Sequence, residues 1–183
     1  MKKLFLLITI LALGSISAQG NGDFVSFQFV KTTPGEQYNV ILNEKWKELH
    51  QMRIDEGTIT GWDTWWRVGA TPESDWNLLI VTVAKHPDSL NANVGVAKMR
   101  PEYSEMDREI FLEKNYKART LVWQNVYVNK GLNFAGNNGE TPAVPQVAVI
   151  NPMKTDYTND AKYEALENSL NSGDLGPRLG WGL

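Results

Sequence analysis

The chain contains no cysteine and only two histidines, His50 and His86. A disulfide framework is therefore excluded, and no zinc-type ligand spacing exists. No Gly-x-Ser-x-Gly, P-loop or dinucleotide fingerprint occurs, and no Ser/His/Asp arrangement stands out as a nucleophilic triad. The Gly131–Gly139 stretch is glycine-rich, but it lacks the lysine and following helix that phosphate binding needs. Long apolar runs are also missing: the longest, Leu4–Leu13, is too short to span about 30 Å of hydrocarbon. Basic excess is absent too, with 18 Lys+Arg against 21 Asp+Glu. Nucleic acid and anionic membranes both require a basic face, so neither is expected as a partner.

What is present begins with an export pattern. Met1-Lys-Lys precedes the apolar run, and Gly14, Ser15, Ser17 and Ala18 follow it. A positive n-region, a short h-region and small residues are the parts of a secretory signal peptide, expected over 1–18. The mature protein is then periplasmic or extracellular, with no membrane association after cleavage. Loss of Lys2 and Lys3 shifts its net charge from −3 to about −5. Without disulfides its stability must come from a core, for which seven Trp, six Tyr and six Phe supply large apolar groups.

Period-2 alternation in Phe24-Val-Ser-Phe-Gln-Phe-Val-Lys predicts a strand with one apolar face. Thr33-Pro-Gly-Glu36 has the composition of a capping box with proline at the first helical position. Tyr38, Ile41, Leu42, Leu49 and Met52 then recur at helical spacing as far as Gly57, an expected C′ residue. Strands follow over 59–69 and 76–85, joined by a hairpin-type loop. Trp76-Asn-Leu-Leu-Ile-Val-Thr-Val-Ala is apolar on both faces, which predicts a central strand. Ser104-x-x-Asp107 opens a second helix carrying Met106, Ile110 and Phe111, and Leu121–Val128 closes the set as a strand.

The element order is βαββαβ, the split βαβ or ferredoxin-like plan of an α+β domain with an antiparallel sheet. Its expected extent is 19–129. A Gly/Asn/Pro-rich stretch over 130–145 reads as a linker. From Gln146 the pattern starts again: a strand through Val147-Ala-Val-Ile150, a helical segment around Tyr163, then Gly180-Trp181, echoing Gly61-Trp62. Pro152 in that first strand suggests an edge or bulged position, and Thr158 is a candidate helix cap. The segment 146–183 is thus an incomplete second ferredoxin-like unit, either part of a longer tandem protein or a reduced arm.

The string Val30-Lys-Thr-Thr-Pro-Gly-Glu-Gln-Tyr38, with Trp46-Lys-Glu-Leu-His50, Gly57 and Gly61-Trp62, resembles the dimeric α/β-barrel group of ferredoxin-like proteins. Within it, the nearest likeness is to exported bacterial members of unknown function that carry two units in tandem. The group includes cofactor-free monooxygenases, haem-using enzymes and plain ligand binders, and no catalytic signature of any branch falls on this chain. The resemblance implies that two sheets pair into a barrel, as a homo-oligomer or an intrachain pseudo-dimer, with a cavity on the face the helices leave bare.

Five of the seven tryptophans lie between residues 46 and 76. Trp62 and Trp66 share a strand face and are candidate ligand-binding residues for an aromatic-lined pocket, against the plainer reading as sheet or dimer core. Gln28, alternating with Phe27 and Phe29, and Asn125, next to Val126, are polar candidates expected on the bare face. His50 shares one helical stripe with Trp46 and Arg53. It is the candidate catalytic residue, as general base or axial haem ligand, against a structural or surface role. No metal site is expected. The sequence leads to an exported protein binding a small apolar or aromatic molecule. The alternatives are an oxidative enzyme, cofactor-free or haem-using, and a structural oligomerisation module. Whether the protein is an enzyme at all is left open by the sequence.

Overall fold

The alternation that begins at Phe24 is realised as strand β1 (Phe24–Thr32). The computed structural model describes residues 22–91, 101, 103–130, 132–134, 150, 159–171 and 180–182. After β1 come helix α1 (Tyr38–Ile41), a π-helical turn (Leu42–Trp46) and helix α2 (Lys47–Asp55). Strands β2 (Gly61–Trp66) and β3 (Leu78–Ala84) follow, then a 3-10 turn (Pro87–Leu90). Helix α3 (Glu105–Ala118) runs directly into strand β4 (Arg119–Val128). The strands lie in the order β2-β3-β1-β4 with every neighbouring pair antiparallel. That order, with helices between β1 and β2 and between β3 and β4, is the ferredoxin-like α+β arrangement expected from the sequence.

Local chemistry explains several boundaries. Gly57, at φ +71°, ends α2. Its N–H bonds Ile54 O at 2.9 Å and the Thr58 N–H bonds Arg53 O at 2.9 Å, the paired bonds of a Schellman motif. Ser104 and Asp107 form the capping box at the start of α3. β3 is central, with six of its seven residues buried. The first helix, however, starts later than the Thr33-Pro-Gly-Glu36 pattern suggests. Gly35 and Gln37 both take positive φ, so this stretch turns, and α1 begins at Tyr38 without a side-chain cap. In α3, Met106 and Ile110 are exposed, and only Phe111 and Leu112 pack on the core from their part of the helix.

The core joins Val30, Leu78 and Ile80 of the sheet to Tyr38, Leu42, Trp46 and Leu49 of the first helices and to Ala118. Because side chains alternate across a strand, these contacts fix which face the helices cover. On β1 it is Phe24, Ser26, Gln28 and Val30; on β3 Leu78, Ile80, Thr82 and Ala84; on β2 Trp62, Thr64 and Trp66. A bulge in β4 sets Phe29 opposite Trp123 but Val30 opposite Leu121. The extra residue, Val122, resets the alternation, so Arg119, Leu121, Gln124 and Val126 all belong to the helix side. The opposite face carries Phe27, Phe29, Leu79, Val81, Val83, Trp123, Asn125 and Tyr127. The expectation that Gln28 lies on the bare face is therefore corrected: Phe27 and Phe29 point away from the helices and Gln28 toward them. Asn125 does lie on the face away from the helices.

Asp23–Val128 forms one compact unit, and residues 129–183 belong to another. In the latter, β5 (Leu132–Phe134) pairs antiparallel with β6 (Gly180–Gly182), and helix α4 spans Asp160–Asn171. β5 lies within the stretch read as a linker. The strand expected from Gln146, with Pro152, and the Thr158 cap fall outside the described residues, as does the 1–18 segment. Among the described residues no helix is long and apolar enough to cross a membrane.

Candidate functional site

A four-stranded sheet covered by helices ordinarily fills its covered face with apolar side chains. Here the middle of that face is polar: Ser26, Gln28, Thr82 and Gln124 sit where aliphatic residues would pack. Three of them are linked, Gln28 Nε2 donating to Gln124 Oε1 at 3.4 Å and Gln124 Nε2 donating to Ser26 Oγ at 2.9 Å. Above them the helices stand off, leaving a cleft of about 560 Å³. Its walls include Gln28, Gln124, Thr82, Ile80 and Trp62 from the sheet, and Tyr38, Leu42, Trp46 and His50 from the helix side. Leu90 and Asn91 bound it at one place, Tyr116, Arg119 and Leu121 at another. This volume lies within the range of small-molecule sites, about 300–1,000 Å³.

The π-helical turn aligns the helix side. The Lys47 N–H reaches back to Leu42 O, five residues away, which inserts one residue into the α-helical count. Trp46, at the end of that turn, is buried, and its Nε1 donates to Asn115 Oδ1 of α3 at 2.8 Å. One helical turn on, the His50 ring lies between two indoles: Trp46 at 5.9 Å and 26°, Trp62 at 4.6 Å and 16°. One further turn on, Arg53 is buried and approaches His50 Nδ1 with its Nη1 at 3.3 Å. Its Nη2 donates to the backbone oxygens of Ser89 and Asn91, tying the 3-10 turn to α2.

Those contacts settle the state of His50. A guanidinium only donates, so Nδ1 accepts and the imidazole proton rests on Nε2. Burial, then the charges of Arg53 and Arg119, push the histidine down to about 3, so it is neutral. A general base needs a free lone pair, and an axial haem ligand needs the lone pair of an accessible ring nitrogen. Here Nδ1 is engaged by Arg53 and Nε2 carries the proton. The residue does not fit either role as arranged; it fits a fixed, flat hydrogen-bond donor and stacking surface.

Arg119, the first residue of β4, lines the cleft with its guanidinium 5.6 Å from the centroid of the Tyr38 ring. Burial raises the Tyr38 phenol to about 12, an effect the nearby Arg119 only partly offsets, so Tyr38 stays protonated. Trp62 Nε1 is buried and has no hydrogen-bond partner among the described residues. No Asp or Glu is among the described residues lining the cleft.

Of the residues singled out from sequence, the cleft unites Gln28, Trp62 and His50. Trp66 lies on the same sheet face but is 52% exposed at the strand end and does not line it. Asn125 is on the opposite face, donating from Nδ2 to Tyr127 Oη at 3.0 Å. The Trp46–His50–Arg53 stripe visible in the sequence is the buried backbone of the site. Arg119 and Gln124 had no comparable signal, because the β4 bulge that brings both to the cleft leaves no mark in residue type. Among the described residues no group of three or more His, Asp or Glu is placed to hold a metal ion.

No family model and no curated protein matches the chain. Among solved structures, it is similar to a dimeric ferredoxin-like protein of unknown function from Thermobifida fusca YX. That likeness has 10% identity and a TM-score of 0.34, covering 59% of this chain and 92% of the other. A dimeric protein of unknown function and ferredoxin-like fold from Bacteroides fragilis NCTC 9343 gives 14% identity and a TM-score of 0.33, with 60% and 97% covered. The fold assignment rests on the strand order itself.

Proposed function

We propose that the protein binds a small, largely apolar or aromatic molecule in the cleft between its sheet and its helices, as an exported binding protein. One observation carries this reading: the sheet beneath the cleft is polar, with Ser26 and Thr82 buried, Gln28 half-buried and Gln124 exposed, and an aromatic-flanked histidine stands opposite. Burying polar groups such as Ser26 and Thr82 costs stability unless they are partnered, so a sequence selected for packing alone would place aliphatic residues there. Export is supported by the N-terminal pattern. An oxidative reaction gains no support from His50, whose nitrogens are held as acceptor and donor by Arg53 and its own proton.

We also propose that the aromatic face opposite the helices is where a second sheet packs, as a homo-oligomer or intrachain pseudo-dimer. Phe29 there contacts Trp76 at 5.0 Å and Trp123 at 4.3 Å, and Phe27 contacts Tyr127 at 5.6 Å. Trp123 and Tyr127 stay exposed.

The cleft reading is tested by calorimetric titration with 2-naphthol, a neutral bicyclic probe. The native protein should bind it, and Gln28→Trp, which fills the middle of the cleft, should abolish binding with the far-UV circular dichroism unchanged. Equal binding by the folded variant would place the site elsewhere.

A further inference from the structure

We infer that the ligand of the cleft is an anion: a planar aromatic molecule carrying a carboxylate or similar acidic group, which Arg119 receives. This deepens the cleft reading and rests on it. Arg119 brings a permanent positive charge to the wall, and no carboxylate among the described residues lies there to neutralise it. Arg119 is half-buried; Arg53, behind His50, is a further guanidinium, itself buried, whose partners are two backbone oxygens and an imidazole, all uncharged. A partly enclosed, low-dielectric cleft concentrates such a field and raises the local concentration of anions.

Three of the neutral groups add donors in the same sense. His50 presents Nε2–H, Tyr38 keeps its hydroxyl proton, and Trp62 Nε1–H is buried without an acceptor. An indole N–H and a guanidinium have no acceptor capacity at all. Beside the amides of Gln28, Gln124 and Asn91 and the Thr82 hydroxyl, which both donate and accept, these donors are complemented by a ligand with acceptor oxygens. The stacked imidazole and indoles specify the rest of the molecule: flat, and able to lie against ring faces. The Arg119 fork lies over the Tyr38 ring, which limits its motion and aims its donors.

The experiment compares three probes of equal shape by calorimetry at low salt: 2-naphthoate, 2-naphthalenemethanol and 2-naphthylmethylammonium. The expected order is anion, neutral, cation, with about tenfold or more between the first two, as a charge-assisted bond gives. Arg119→Gln should erase that preference, and Arg119→Lys should retain part of it. Arg67→Gln, which removes a guanidinium lying over Trp76 outside the cleft, should change nothing. In the unmodified protein, added salt should weaken naphthoate and spare the alcohol, a readout that stands even if an Arg119 variant misfolds. Equal affinity for the three probes, or an anion preference that survives Arg119→Gln or ignores salt, would overturn the inference and leave the cleft reading standing. Failure of all three probes to bind would remove both.

Discussion

The two faces of the sheet are built against expectation. The face under the helices carries Ser26, Gln28 and Thr82 in its centre and the exposed Gln124 on edge strand β4, whereas the face away from them carries Phe27, Phe29, Val81, Trp123 and Tyr127. At the buried positions Ser26 and Thr82 a domain optimised only for its own stability would carry apolar side chains, since apolar area contributes about 25 cal/mol per Å² where helices cover it. The difference separates the jobs of the faces. The helix side holds the fold at its margins, through Val30, Leu78, Leu42 and Leu49, and leaves a cleft in its middle, proposed above to take a ligand. The opposite side carries exposed rings, proposed above to meet another sheet.

The sharpest way to break this comparison is to remove a buried aliphatic from the helix-side core. Leu78→Ala empties a fully buried position of the helix-side core and should cost about 2–5 kcal/mol in urea unfolding. A loss below about 1 kcal/mol would mean that the helices do not depend on that margin.

A second, smaller effect comes from His50. Its folded pKa, about 3, lies below the ordinary 6.5, so between those values the unfolded chain binds a proton that the native state refuses. Its contribution is complete above about pH 6.5 and is lost as pH falls toward 3, with a slope approaching 1.4 kcal/mol per pH unit. His50→Phe should flatten the stability profile of the native protein by about that slope between pH 6 and 4. Parallel profiles for the two proteins would show that the imidazole is not held neutral between the indoles.

The smallest change expected in the unit itself is Trp123→Ser on the opposite face. Trp123 is 42% exposed, so unfolding free energy should shift by about 1 kcal/mol or less. Sedimentation should nevertheless show weaker self-association. A large loss of stability without a change in mass would make Trp123 a core residue and cancel the division of labour.

How much of this was legible in the sequence depended on whether the signal was periodic or geometric. The βαββαβ order was readable because β1 and β3 announce themselves by alternation and apolarity, and Gly57 and Ser104–Asp107 by termini chemistry. The stripe Trp46, His50, Arg53 was readable from i, i+4 and i+3 spacing. The face of Gln28 was misread because apolar alternation says which residues share a face and not which face the helices take. Phe27 and Phe29 look like core residues, yet they point the other way. Arg119 and Gln124 were hidden by the Val122 bulge, which shifts the alternation of β4 by one residue without any glycine or proline to mark it. The π-helical turn at Leu42–Trp46 was equally silent, since its residues are ordinary helix formers.

The most direct test is a two-dimensional spectrum of the seven tryptophan indoles, recorded as 2-naphthoate is added. The account predicts shifts at Trp46 and Trp62, which flank His50, and none at Trp123 on the opposite face. Shifts confined to Trp123 and Trp76, with Trp46 and Trp62 unmoved, would put binding on the aromatic face and contradict the assignment of the cleft.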